Sequence, residues 1–90
     1  MSGGQLMKTV DLHHPTGSSR SLTIRRVFGT VEGMPGSYEM ILNWADPGTD
    51  HSVAASGIEI LATFPHDYAA KVTLMEFVKQ YKKEGYVEAL

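Results

Sequence analysis

Histidine and aspartate are the side chains of this chain that most directly suggest chemistry, because imidazole and carboxylate groups together can bind a divalent metal or exchange protons. The histidines and nearby aspartates are His13, His14, His51, His66, Asp11, Asp46, Asp50 and Asp67. Adjacent residues of an extended chain point in opposite directions, so the two neighbouring histidines do not chelate one ion as a pair, and no H-E-x-x-H motif is present. The remaining metal candidates are His13, Asp50 and His51. We expect these to be solvated loop side chains, with no bound metal.

Nucleophilic catalysis has weaker support in the sequence. The chain has no cysteine, which excludes a thiolate nucleophile, a disulfide and a cysteine-type zinc site. Its serines lie in turn-rich segments, and none stands in a G-x-S-x-G motif or in a glycine-rich phosphate-binding loop. We therefore expect no enzymatic activity and no cofactor.

Three arginines on or before one predicted strand could bind nucleic acid. Arg20, Arg25 and Arg26 precede a strand that carries Tyr38 and Trp44, and basic and aromatic side chains on one sheet can hold single-stranded nucleic acid. The two aromatic residues belong to an apolar stripe that is typical of a buried face. The net charge of the chain is −2, which gives no general attraction to phosphate. A nucleic-acid-binding module is therefore the alternative function.

Several apolar residues fall outside the main stripes of the predicted elements, which indicates a protein interface. One amphipathic helix covers one face of a sheet, so the remaining apolar side chains need another surface. The residues predicted for that surface are Met75, Tyr86, Val87 and Leu90. The alternative is that the C-terminal segment folds back over them. The leading hypothesis is a small non-enzymatic regulator, adaptor or inhibitor that binds another protein and forms a homodimer.

Length and composition fit one folded domain. The chain has 90 residues, of which 42% are hydrophobic and 20% charged, and this length does not supply two independent cores. Residues 1–5 are predicted to be a flexible N-terminus or an expression remnant, and residues 6–90 a single domain. No apolar stretch approaches the roughly 20 residues that span a bilayer, and we expect a cytoplasmic location without membrane attachment.

Alternating apolar residues predict strands over residues 6–12, 21–31 and 38–44. An exposed connector at residues 13–20 and a turn at residues 32–37 separate them. The alternation changes phase within the second strand, which predicts a β-bulge at Arg25 and Arg26 or else a sheet with both faces partly covered. The third strand has four residues on one face: Tyr38, Met40, Leu42 and Trp44.

The region after the turn at residues 46–50 is ambiguous between helix and strand. We favour a strand over residues 57–64, because Gly57 would weaken a helix interior by about 1 kcal/mol relative to alanine. Such a strand has four apolar residues at alternating positions, which predicts one apolar face: Ile58, Ile60, Ala62 and Phe64.

The last element is predicted to be a helix from about Thr73 to Glu84. Thr73 with Glu76 forms a capping-box pattern, Val72 with Phe77 a hydrophobic staple, and Gly85 stands where a left-handed C-cap residue belongs. These elements predict an α+β fold with three or four mainly antiparallel strands and one C-terminal helix packed across the sheet. A small barrel with a helix is the alternative.

Overall fold

The computed structural model describes residues 4–27 and 36–89, which form an antiparallel sheet with a helix on one face. The elements are β1 (Gly4–His13), β2 (Ser19–Val27), β3 (Ser37–Asp46), β4 (Ala55–Phe64), α1 (Asp67–Lys83) and β5 (Val87–Glu88). Their order in the sheet is β4-β3-β2-β1-β5. The predicted α+β class is confirmed, with five described strands rather than three or four. The additional strand, β5, is two residues long and therefore too short to show a periodic pattern.

The core lies between α1 and the face of the sheet that the helix covers. The fully or nearly buried apolar residues come from β1, β2, β3 and α1: Val10, Leu12, Leu22, Ile24, Met40, Leu42, Ala70 and Leu74. Fully burying one side chain of this size stabilises the fold by about 1.5–3 kcal/mol. The prediction for β3 is confirmed, because Met40 and Leu42 are buried and Tyr38 and Trp44 pack against them.

The register of strand pairing is interrupted in β1 and β4, and the prediction of a bulge in β2 is wrong. β2 pairs with β3 without interruption through Arg25 and Arg26. The extra residues are Met7 in β1 and Leu61 in β4. The phase change in β2 needs no bulge, since Val27 lies on the face away from α1. Residues 28–31 of the predicted strand, and residues 32–35 of the predicted turn, are outside the described part of the chain.

The fourth strand is confirmed, but its predicted single apolar face is wrong. The extra residue Leu61 shifts the register, and one inserted residue moves all later side chains to the other face. Ala62 and Phe64 consequently pair with β3 on the side that α1 covers. Ile58 and Ile60 lie on the opposite side, which we call the open face.

Gly57 in β4 has a packing function. It pairs with Trp44, and a Cβ atom at this position would lie 2.9 Å from the indole ring. The bare backbone therefore allows the half-buried Trp44 side chain to cover β4.

The helix begins at Asp67, and the capping box predicted at Thr73 is wrong. The N-cap residue His66 makes no side-chain cap hydrogen bond. Asp67 instead places a carboxylate in the first turn, where it complements the helix dipole, and it lies 3.6 Å from the Lys71 ammonium group. Ala70 is fully buried against the sheet, so tertiary packing extends the helix toward its N-terminus beyond the predicted start.

The predicted helix end is confirmed and has the geometry of a Schellman motif. Gly85 has a φ of +102°. Its N–H donates to the Lys82 carbonyl at 3.2 Å, and the N–H of Tyr86 donates to the Tyr81 carbonyl at 3.1 Å. The Tyr81 and Tyr86 rings meet edge to face with centroids 5.2 Å apart, which supplies the hydrophobic contact that accompanies this motif.

The β1–β2 turn is attached to this helix end by His14. The Thr16 N–H donates to His14 Nδ1 at 3.2 Å, which leaves Nε2–H to donate to the Glu84 carbonyl at 3.2 Å. The imidazole also packs edge to face on Tyr86, with ring centroids 5.0 Å apart. The C-terminus of α1 is therefore fixed at the end of the sheet where β1 turns into β2.

Gly85→Ala tests this attachment. We expect it to lower the free energy of unfolding by about 1–2 kcal/mol, because an L-residue is strained at positive φ and the new Cβ would lie 2.9 Å from His14 Nε2. Urea unfolding measures the change. Gly85→Asn is the matched variant, since asparagine tolerates this backbone conformation. It should lower the free energy of unfolding less than Gly85→Ala does. A Gly85→Ala protein as stable as the original would contradict the account.

Candidate functional site

A groove of about 640 Å³ lies between α1 and β1. Its lining residues come from β1, α1, the turn after the helix and β5: Lys8, Val10, Leu74, Met75, Glu76, Val78, Lys79, Lys82, Lys83 and Glu88. We call it the α1–β1 groove.

The helical repeat explains one wall of the groove. Met75, Val78, Lys79 and Lys82 follow the i, i+3, i+4, i+7 spacing that places side chains on one stripe of a helix. Leu74, by contrast, belongs to the stripe that points into the core. The helix therefore has two adjacent stripes of side chains. One, which includes Leu74, covers the sheet, and the other, which includes Met75, borders the groove on the side of β1.

The floor of the groove is apolar. Val10 and Leu74 are buried, Val78 is half-buried, and Met75 has 65% of its surface exposed. A flexible thioether side chain at the surface adapts readily to the shape of a ligand. The groove therefore offers apolar contact area that no described residue covers.

The rim of the groove is basic. Four of the eight lysine and arginine residues of the chain surround it, against two glutamates: Lys8, Lys79, Lys82, Lys83, Glu76 and Glu88. Lys82 pairs with Glu88 at 3.3 Å. The other three lysines form no ion pair with any described residue. A chain with net charge −2 thus has a locally positive groove.

The outer edge of β1 beside the groove has unpaired backbone groups. β5 pairs with β1 at Leu12 and His13, and the Ala89 N–H donates to the Asp11 carbonyl at 2.8 Å. Backbone groups alternate sides along a strand, so Thr9 presents its N–H and carbonyl at the same edge. No strand within residues 4–27 and 36–89 pairs with that edge beyond Asp11.

The residues predicted to form the interface do not share one surface. Met75 lies in the α1–β1 groove, whereas Val87, 64% exposed, pairs with His13 on the open face. Tyr86 is half-buried among Tyr81, His14 and Arg20, so its ring serves packing of the helix end. Leu90 is outside the described residues.

The three arginines considered for nucleic acid also lie apart. Arg20 donates to Asp46 Oδ1 at 2.8 Å and lies over the Tyr86 ring, 5.4 Å from its centroid. Arg25 donates to Glu39 Oε1 at 2.7 Å on the open face. Arg26 is exposed and shares the face of Arg20. The alternation of β2 thus separates Arg25 from the other two, and the guanidinium groups of Arg20 and Arg25 are used in ion pairs.

The metal candidates are separated as well. His13 lies on β1 and Asp50 and His51 lie in the loop between β3 and β4. Among the described side chains, no group of three or more histidine, cysteine, aspartate and glutamate residues is placed to hold a metal ion. Within the same residues, no helix combines the length and apolar character needed to cross a bilayer.

The open face is polar at β1 and β2 and apolar at β4. Thr9 and Thr23 hydroxyls lie 3.2 Å apart, and the Ser21 hydroxyl donates to Asp11 Oδ1 at 2.7 Å. On the same face, at the opposite edge of the sheet, Ile58 and Ile60 are 72% and 57% exposed. Strand β4 is also the outer strand of the described sheet, so its free backbone edge adjoins this apolar pair. We call Ile58, Ile60 and the outer edge of β4 the β4 edge.

Sequence reasoning missed the groove because it depends on which side of α1 faces β1. Lys79, Lys82 and Lys83 lie toward the C-terminal end of α1, where cations suit the helix dipole, so their presence alone indicates no groove. For Lys8 the sequence does contain a signal. Lys8 alternates with Val10 and Leu12 and therefore belongs to the face of β1 that α1 covers. A lysine at the end of a buried stripe indicates a boundary between core and surface.

Comparison with known proteins finds no family model, no curated protein and no solved structure that matches this chain.

The ion pair between Arg20 and Asp46 makes stability depend on pH. Hydrogen bonds from Arg20 and Ser18 lower the pKa of Asp46, so its stabilising contribution is present above the unfolded-state pKa of about 3.9 and is lost as pH falls through the lower folded value. We expect Asp46→Asn to lower the urea midpoint at pH 6 and the difference from the original protein to shrink toward pH 2.

Asp50→Asn is the control for this prediction, because Asp50 is an exposed loop aspartate without an ion pair to a described residue. Its urea midpoint should follow that of the original protein across the same pH range. A difference for Asp46→Asn that stays constant down to pH 2 would show that charge pairing with Arg20 is not its cause.

Proposed function

We propose that this protein is a small non-enzymatic regulator or adaptor that holds an extended segment of another protein in the α1–β1 groove. The observation that carries the proposal is the exposed Met75 side chain on an apolar floor that adjoins an unpaired strand edge. Extended segments bind such places by adding a strand to the sheet, where main-chain hydrogen bonds give affinity and the side-chain groove gives specificity.

The size of the groove supports this proposal. A volume of about 640 Å³ lies within the range of about 300–1,000 Å³ that is typical of ligand pockets. No described strand pairs with β1 beyond Asp11, so a chain can lie along this part of the edge beside the groove. Apolar contact at Met75 is expected to contribute most of the binding free energy, since a few central apolar side chains usually dominate an interface.

We also propose that the protein self-associates, with a second copy seated on the β4 edge. An antiparallel strand edge is complementary to itself in hydrogen bonding, and a twofold axis perpendicular to the sheet joins two such edges into one sheet. The isoleucine pairs of both copies then lie side by side on one face. Glu59, the charged residue of β4, lies on the other face, so it does not interrupt this apolar contact.

The β4 edge has some of the features that prevent strand association, the bulge at Leu61 and the charge of Glu59 on the face that α1 covers, and lacks others. Natural edge strands are commonly short or carry lysine, proline or inward-pointing charges. β4 has ten residues without lysine or proline. Exposed isoleucines beside such an edge favour pairing in solution, and the second copy is the partner that is always present.

Met75→Ser tests the groove. A library of random seven-residue peptides displayed on phage is selected against the original protein, and the recovered peptides are measured against variants. We expect Met75→Ser to weaken their binding about tenfold, because a polar side chain removes apolar contact at the centre of the groove.

Tyr68→Ser is the matched control, since Tyr68 is an exposed apolar residue of the same helix outside the groove. It should leave peptide binding unchanged. Selection without enrichment above background, or equal losses for both variants, would overturn the proposed use of the groove.

Ile58→Lys tests self-association. We expect the original protein to be a dimer by light scattering during size-exclusion chromatography, and Ile58→Lys to be a monomer, because the substitution places two lysines near the twofold axis. Val53→Lys is the control, as Val53 is 90% exposed in the preceding loop, and it should remain dimeric. A monomeric original protein at micromolar concentration would contradict the pairing of β4.

A further inference from the structure

We infer that the α1–β1 groove selects an acidic segment, which binds antiparallel to β1 with carboxylates and an aliphatic residue facing α1. The inference rests on the proposed function and specifies the chemistry of the partner. Two properties of the groove lead to it: the charge of its rim and the direction of the backbone groups at Thr9.

The charge of the rim favours carboxylates. Lys8 lies on the strand side of the groove and Lys79 and Lys83 on the helix side, and none of the three has an ion-pair partner among the described residues. A bound segment that lies between them can place carboxylates toward both walls. Charged partners of opposite sign increase the association rate and exclude basic segments.

The backbone of β1 determines which side chains of the segment face the groove. β5 shows that this edge accepts an antiparallel strand, and the Ala89 N–H donates to the Asp11 carbonyl. A segment continuing along the edge forms its next hydrogen-bonded pair at Thr9. Residues opposite each other in such a pair lie on the same face, so the residue opposite Thr9 points to the open face. Its two neighbours point into the groove, as Lys8 and Val10 do.

The strand geometry therefore separates two roles within the segment. Residues that hydrogen-bond to β1 face away from α1, and the residues between them meet the groove. The groove-facing residues lie beside Met75 and the lysines that line the groove. An aliphatic and an acidic residue at alternating positions, in either order, are the pattern that fits opposite Lys8 and Val10, because β5 pairs with Leu12 and the extra residue Met7 interrupts β1 beyond Lys8.

A synthetic heptapeptide provides the probe. It has threonine at each odd position and glutamate, leucine and glutamate at the even ones, with blocked termini. Binding to the full chain is measured by amide chemical shifts, with Thr9 and Lys79 as reporters. We expect replacement of both glutamates by glutamine to weaken binding about fivefold. Added salt should weaken the binding of the glutamate peptide and leave the glutamine peptide nearly unchanged.

Lys79→Gln tests the same contact from the protein. It should lower affinity for the glutamate peptide about two- to threefold and leave affinity for the glutamine peptide unchanged. Lys71→Gln is the matched control, because Lys71 lies on the same helix outside the groove. Equal affinity of the glutamate and glutamine peptides would overturn the selection for acid.

Backbone methylation tests the strand pairing. The two central threonines are methylated at nitrogen one at a time; the threonine opposite Thr9 donates to β1, and we expect its methylation to weaken binding about tenfold. Methylating the leucine nitrogen removes a donor that points to solvent and should have little effect. If both modifications are tolerated, or if only the leucine modification abolishes binding, the antiparallel pairing is overturned.

Two further outcomes separate the inference from the proposed function. Peptides from the displayed library that depend on Met75 but are not enriched in glutamate or aspartate would overturn the acidic specificity and leave the proposed function intact. If dodecanoate changes the amide chemical shift of Lys79 and no peptide does, the groove is a site for amphipathic carboxylates. That result would overturn both the inference and the proposed function.

Discussion

The structure depends on the fact that one helix has to cover one face of a sheet that is wider than the helix. An α-helix with its side chains is about 10 Å wide, whereas five strands spaced about 4.8 Å apart span about 19 Å between their outer axes. The helix α1 contacts β1, β2, β3 and β4, and the buried strand residues come from β1, β2 and β3. The width of the sheet thus leaves the margin at β1 incompletely covered, which forms the α1–β1 groove. Ile58 and Ile60 of the β4 edge lie on the open face, which α1 does not cover.

The position of α1 across the sheet follows from how its C-terminus is held. The Schellman geometry at Gly85 directs the chain back toward β1, and His14 fixes the Glu84 carbonyl to the β1–β2 turn. Arg20 packs over Tyr86, whose ring also meets Tyr81, and burial at this end of the helix raises the pKa of Tyr81. With this end anchored beside β1, β5 and Ala89 bond the edge of β1 at residues 11–13, and within the described part of the chain no strand pairs with the rest of that edge.

The amino-acid sequence predicts the elements better than it predicts their relative placement. Alternation located β3 and β4, and Gly85 located the helix end, because these signals act over a few neighbouring residues. The start of α1 depended on burial of Ala70 against the sheet, which is a tertiary contact. The faces of Ile58 and Ala62 depended on the extra residue Leu61, and local alternation does not reveal an insertion. The groove was missed for the same reason: Met75 was identified as exposed and apolar, but its neighbours across the groove come from β1.

The basic charge of the groove has two origins, and they differ in what they imply. Lys79, Lys82 and Lys83 lie at or near the C-terminal end of α1, where cations complement the helix dipole, so their presence there needs no ligand. Lys8 complements no helix dipole; beside an edge that no described strand covers, a lysine opposes strand association, and a strand with acidic side chains is the one that its charge favours. It lies on a strand, on the face that carries Val10 and Leu12, where an aliphatic residue would add to the core. A lysine at this position extends its charge over the groove margin while its stem packs on apolar surface. Lys8 is therefore the residue whose placement most specifically supports an anionic partner in the groove.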